Sequence, residues 1–257
     1  MILTKIFCTY LLDSLDASIN VMSEGDISGK DIDEKKLIDQ HYYAIASKAT
    51  LLEPKELAVP TEKFESFFGE KWETVLAENR ACNAMEACER FELDADGLEK
   101  AWRVCEPNNK VVKFGGGFYC GLIDSVDGKD PLYVFNAFFM SMRSRFIGDA
   151  SIHYFVVDFK VEDLTWEDFR GKVLGPTDPA SAPEGSIRKT IYNDWETLGL
   201  KEIPTKGDNG VHASASPFEG LAEKTNWLGM SITDDAFGQA LLAGGISTDT
   251  IKAWSVE

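Results

Sequence analysis

Apolar side chains between Phe64 and Phe91 return every three or four residues, a period that an α-helix converts into one continuous face. Phe64, Phe67, Phe68, Trp72, Val75 and Leu76 form the first part, and Cys82, Met85, Ala87, Cys88 and Phe91 continue it. This stretch predicts two or three amphipathic helices, and Leu98, Ala101 and Trp102 predict one more. Other segments follow a different rule. His41 to Lys48, Phe118 to Ile123 and Ser151 to Asp158 are rich in aromatic and β-branched residues, which suits strands. Both patterns occur within 257 residues, so an α/β chain with helices packed on a sheet is expected.

Two motifs in this region fail on spacing. Asp94-Ala95-Asp96-Gly97 opens like a calcium loop, but its glycine comes early and Cys105 stands where a bidentate Glu is required, so it reads as a turn. Gly115-Gly116-Gly117 lacks the later glycine of a dinucleotide fingerprint and the Gly-Lys-Ser/Thr of a phosphate loop; it reads as a tight bend before the strand from Phe118.

The net charge of −17 argues against a general nucleic-acid or anionic-membrane binder, because those partners are held by Lys and Arg. An anionic ligand would have to be met by local cations against the overall field. Five cysteines without a C-x-x-C pair suggest reduced thiols in an intracellular setting. The apolar patch Ile6 to Leu12 is broken by Thr9 and followed by Asp13 and Asp16, a poor secretory or transit signal. A cytoplasmic location is expected, with an organelle not excluded, and Ser23 to Lys36 reads as a polar, partly disordered lead-in.

One of only three histidines lies in Asp208-Asn209-Gly210-Val211-His212-Ala213-Ser214-Ala215-Ser216, among small and hydroxyl-bearing residues. An imidazole is a competent nucleophile near neutral pH when one ring nitrogen keeps its lone pair and an acceptor holds the other. Glu223 follows eleven residues later, in a segment Pro217 to Trp227 that Ser216 and Pro217 mark as a helix, and could turn back toward the ring. Upstream, Leu174-Gly175-Pro176-Thr177-Asp178-Pro179-Ala180-Ser181-Ala182-Pro183-Glu184-Gly185-Ser186-Ile187-Arg188 reads as an ordered loop. Thr177 and Arg188 are its phosphate-binding groups, through a hydroxyl and a forked cation. The plain alternative is a loop histidine near an ordinary surface connection.

Together these two segments resemble the nucleoside diphosphate kinase family, with its G-x-T-x-P…P-G-[ST]-[IL]-R loop and N-x-x-H-[GA]-S-x-S motif followed by a helix ending in Trp. Gly175, Thr177, Pro179, Gly185, Ser186, Arg188, Asn209, His212, Ser214, Ser216, Glu223 and Trp227 fall on family positions. The resemblance implies a ferredoxin-like antiparallel sheet covered by helices, an α+β fold. It also implies transfer of the γ-phosphate of ATP or another nucleoside triphosphate to a nucleoside diphosphate through phospho-His212. Glu223 would hold the imidazole, Ser214 would support Glu223, Asn209 would contact the sugar, and Thr177 and Arg188 would hold the phosphates. Lys48 would be a phosphate-binding lysine at a strand end, and Phe138 would stack on the base. Mg2+ would arrive with the nucleotide rather than in a protein cage, and a homo-oligomer is implied.

Several positions depart from the pattern. Gly171 stands where the family has an Arg, and either Arg170 or Lys172 could replace it. About ninety residues separate Lys48 from Phe138, where the family needs far fewer. Tyr192 to Leu200 reads as an added helix between Arg188 and His212. The chain thus reads as an extension over 1–40, a kinase-like domain over 41–230 with a helical insertion at about 53–110, and a helical tail over 231–257. On the same fold, the alternative is a weak or inactive nucleotide-binding or assembly module.

Overall fold

The computed structural model describes residues 19–255; the patch from Ile6 to Leu12 lies outside them. Two compact units form, one from 19–26 with His153–Gly245 and the other from Ile27–Ile152 with 246–255. Helices, an antiparallel strand set and a mixed sheet make this an α+β protein.

The first described strand is β1 (Ile19–Ser28), paired with the later strand Ser151–Phe159. Much of the expected polar lead-in is therefore ordered as the end of β1 and as α1 (Gly29–Glu34). Strand pairing satisfies its polar backbone, and Ile32 is fully buried. Next come α2 (Leu37–His41), α3 (Tyr43–Ala46) and a π-helical turn over Ser47–Leu51. The strand expected from His41 to Lys48 is thus corrected to helix. Ala46 and Ala49 both enter the core, and residues three apart share a helix face but point to opposite faces of a strand. Alanine's helix propensity acts in the same direction.

The stretch with helical spacing carries α4 (Thr61–Phe68), α5 (Trp72–Ala77), the short strand β2 (Ala81–Asn83), α6 (Ala84–Phe91) and α7 (Ala95–Cys105). Asp94, at the rejected calcium motif, is the N-cap of α7 and accepts from Gly97 N at 2.7 Å. Beyond it, β3 (Val111–Gly115), β4 (Phe118–Ile123) and β5 (Leu132–Phe135) complete a sheet of order β2-β5-β4-β3. The β2–β5 pair is parallel and the other two are antiparallel. Then α8 (Phe138–Ser144) follows.

Side-chain alternation gives this sheet two covered faces. Leu132 and Val134 join Phe91, Leu98, Trp102 and Phe139 from α6, α7 and α8. Tyr133 and Phe135 point the other way, toward Phe64, Trp72 and Val75 from α4 and α5. At Gly121 a Cβ would lie 2.5 Å from Trp102 Cζ3, so the glycine lets the indole lie against the sheet. Burial pushes the Cys82 thiol up to about 12 and Cys120 well above its ordinary value, which leaves both protonated and inert near neutrality.

The site-bearing unit continues from β6 (Ser151–Phe159) through α9 (Trp166–Asp168), a π-helical turn over Phe169–Leu174 and a 3₁₀ turn over Pro179–Ser181. It then forms α10 (Ile187–Asn193), α11 (Pro217–Leu228) and α12 (Ala236–Ala243), while α13 (Thr248–Trp254) belongs to the other unit. The helix expected over Tyr192 to Leu200 is displaced toward the N-terminus. Ser186 caps α10, and Ile187 and Ile191, one turn apart, bury against Leu174 and Leu198. Among the described residues, no helix is long and apolar enough to cross a membrane.

Asn136 ties the sheet-bearing unit together. Its φ of 48° is left-handed, which Asn tolerates better than most residues. Fully buried, it donates to Ile45 O at 2.9 Å and Gly117 O at 2.8 Å, and its Oδ1 accepts from Tyr119 N at 2.9 Å. Asn136→Ala strands three backbone groups and is expected to lower stability by on the order of 3 kcal/mol. A reduced urea midpoint with an unchanged slope is the expected reading.

Candidate phosphate-transfer site

The Gly/Pro-rich loop is held in one shape by its own residues. Gly175 has φ +91°, and a Cβ there would lie 2.8 Å from Ser186 Oγ, so only glycine fits without strain. Asp178 Oδ1 accepts from Ala180 N at 3.0 Å to start the 3₁₀ turn. Ser186 Oγ donates to Pro183 O at 2.7 Å and accepts from Lys189 N at 3.4 Å, so one hydroxyl closes the loop and begins α10. Arg188 is thereby placed in the first turn of α10 with its guanidinium directed back under the loop.

Arg188 is buried, and its two terminal nitrogens each reach a backbone carbonyl. Nη1 donates to Gly175 O and Nη2 to Val211 O, each at 2.8 Å, while Nε has no hydrogen-bond partner. One cation therefore joins the loop to the residue before His212. From the π-helical turn, Arg170 Nη1 donates to Ala213 O, the carbonyl after His212. Burial and then the nearby Arg170 charge lower the Arg188 pKa, but a guanidinium starts far enough above neutrality to stay charged. Asn209 Nδ2 adds a third tie, to Thr177 O at 3.1 Å.

On the other side of His212 stands α11, started by Ser216, which caps Glu219 N at 3.2 Å, and by Pro217 at the first helical position. Seven residues into this helix, Glu223 places Oε1 2.6 Å from His212 Nε2, and its Oε2 accepts from Ser214 Oγ. The His212 side chain is 47% exposed and Glu223 only 17%, so the ring presents itself to solvent while its orienting carboxylate is sheltered. With Nε2–H donated to Glu223, a neutral imidazole carries its lone pair on Nδ1.

An open cavity of about 500 Å³ lies beside the Gly/Pro-rich loop, with Arg170, Gly171, Thr177, Arg188, Ala215 and Trp166 in its walls; His212 and Glu223 are not among its lining residues. Two guanidiniums and a hydroxyl make it suited to an anion. Lys172 is engaged at 2.9 Å by Asp168 and is not in the cavity wall, so Arg170 is the neighbouring cation that shares the cavity wall with Gly171. A Cβ on Gly171 would meet nothing within 4 Å.

Arg170, Thr177, Arg188, Asn209, His212, Ser214 and Glu223 are thus gathered within one unit. Lys48 and Phe138 belong to the other. There Lys48 Nζ donates to Ala44 O at 2.7 Å and Ser47 Oγ at 3.1 Å, and burial lowers its pKa. Phe138 packs against Trp102 and Tyr119, with ring centroids 6.1 and 5.7 Å away. Sequence reasoning missed Glu219, whose side chain accepts from Ala215 N and steadies the turn into α11. The Ser216-x-x-Glu219 spacing was its visible signal. It also missed Trp166 as a cavity wall.

No family model, curated protein or solved structure matches the chain.

The Arg188 bridge yields a direct test. Lysine is long enough for one carbonyl but lacks the fork for both, so Arg188→Lys is expected to cost roughly 2–3 kcal/mol, as for a lost charge-assisted bond and an unpaired carbonyl. Denaturant unfolding followed by tryptophan fluorescence reads it, and a variant within 0.5 kcal/mol of the native protein, about the size of ordinary surface changes, would refute the bridge.

Proposed function

We propose that this protein is a phosphotransferase of the nucleoside diphosphate kinase type, with His212 as the transient phosphate acceptor. The observation that carries this reading is the setting of His212. Arginines bond the carbonyls on both sides of it, and a Ser214-supported Glu223 holds its Nε2.

In the first half-reaction the Nδ1 lone pair attacks the γ-phosphorus of a magnesium-bound nucleoside triphosphate. The bond from phosphorus to the bridging oxygen breaks, and the nucleoside diphosphate departs with that electron pair. Glu223 balances the positive charge that grows on the imidazole. In the second half-reaction a terminal oxygen of an acceptor diphosphate attacks the phosphorus, the P–N bond breaks, and the ring regains its lone pair. Arg188, Arg170 and Thr177 hold phosphate oxygens in line, as a loose transition state requires of a site that works mainly by positioning and charge. Asn209, tied to the loop through Thr177, contacts the sugar. Mg2+ is part of the nucleotide substrate.

The ferredoxin-like arrangement, a homo-oligomer and a cytoplasmic location belong to the same proposal. The first rests on the sequence resemblance alone, since among the described residues the site-bearing unit carries only the strand pair β1–β6. Roles for Lys48 in phosphate binding and Phe138 in base stacking rest on sequence resemblance alone. One observation favours a second reading, a nucleotide-binding module without turnover. Gly171 brings no cation, and Arg170 is bonded to Ala213 O. Calorimetric nucleotide binding without phosphate exchange would select this second reading.

Incubation with γ-labelled ATP and Mg2+ tests the kinase reading. Acid-labile label is expected on the native protein and none on His212→Ala. Glu223→Gln keeps the shape but loses the charge, and its labelling rate should fall roughly 10²- to 10⁴-fold, the range for a missing acid–base partner. An unlabelled native protein sinks the proposal.

A further inference from the structure

The cavity lined by Arg170 and Arg188 has one wall of a different chemical kind. Trp166 lines it beside the arginines, and this indole is fixed rather than loose. Thr165 caps its helix by accepting from Asp168 N at 3.1 Å. Phe159 and Phe169 pack against the ring, with centroids 5.4 and 6.2 Å away. On the α11 side, a Cβ at Gly220 would lie 3.9 Å from Trp166 Cη2, so the helix passes close to the ring. Trp166 nevertheless remains only partly buried and lines the cavity.

A bare phosphate needs only the cationic groups. It gains nothing from an aromatic wall. The neighbouring Glu167 carboxylate, also in the cavity wall, would repel phosphate from that side. It leaves Arg170, Arg188 and Thr177 as the place for the charged end of a ligand, and Trp166 with Pro176 as the place for a flat, uncharged one. A nucleotide has both ends.

Resting on the phosphotransferase reading, we propose that Trp166 is the base-stacking platform of this site, in place of Phe138, which the resemblance suggests but which packs against Trp102 and Tyr119. It selects nucleoside phosphates over inorganic polyphosphates of equal charge.

Calorimetry with two probes, MgADP and magnesium tripolyphosphate, tests this on the native protein, Trp166→Phe and Trp166→Ala. Trp166→Ala is expected to weaken MgADP roughly ten-fold or more, the usual effect of removing a stacking partner. It should leave tripolyphosphate within about two-fold. Trp166→Phe should recover most of the MgADP affinity. Unchanged tripolyphosphate binding also shows that the variant is folded. Equal weakening of both probes, or of neither, overturns the role of Trp166 and leaves the phosphotransferase reading standing. If the native protein binds neither probe, that reading falls and the platform with it.

Discussion

The buried fork of Arg188 is the interaction on which the site depends. A guanidinium taken out of water must find acceptors, and here they are two backbone carbonyls, Gly175 O and Val211 O, each 2.8 Å away. Backbone acceptors compensate the buried donors without cancelling the positive charge. An ion pair to a carboxylate would have done both, and the cavity would then have lost much of its attraction for anions. The same two bonds fix the loop relative to the residue before His212, so anchoring and charge come from one side chain. This is how a chain with a net charge of −17 can still offer a positive site.

Around that anchor the histidine is held from three directions. Arg188 and Arg170 bond the carbonyls on either side of it, and Glu223 reaches it from α11. The order of burial matters for chemistry. A sheltered carboxylate keeps a strong directional bond to Nε2, while a half-exposed ring remains within reach of a substrate. Ser214 occupies the second carboxylate oxygen, which reduces the freedom of Glu223 to rotate away. Precise placement of this kind is what a phosphoryl acceptor needs more than any intrinsic reactivity.

The parts of this arrangement that were legible from sequence were those set by local rules. Ser216 and Pro217 start a helix, and a fixed offset carries Glu223 to the ring. The Gly and Pro positions from Gly175 to Gly185 gave an ordered loop. The period of Phe64 to Trp102 gave the helices of that region but not β2, where Cys82 sits in a strand. The segment ending in Lys48 reads as a strand because Tyr42, Tyr43 and Ile45 suit one; burial of Ala46 and Ala49 on one face makes it a helix, and that depends on the sheet they pack against. Where Arg188 would send its nitrogens could not be read, because backbone carbonyls carry no sequence signature. Trp166 was hidden for a similar reason: its exposure to the cavity follows from the turn after α9 and the approach of α11, neither of which is local to the tryptophan.

Glu223 holds Nε2 and so leaves phosphate acceptance by His212 to Nδ1. Nuclear magnetic resonance of the phosphorylated, nitrogen-15-labelled protein distinguishes the two ring positions through long-range proton–nitrogen correlations. Phosphorus bonded to Nδ1 of His212, with Nε2 still protonated, is the expected result. Phosphorus on Nε2, or on any other residue, would contradict it.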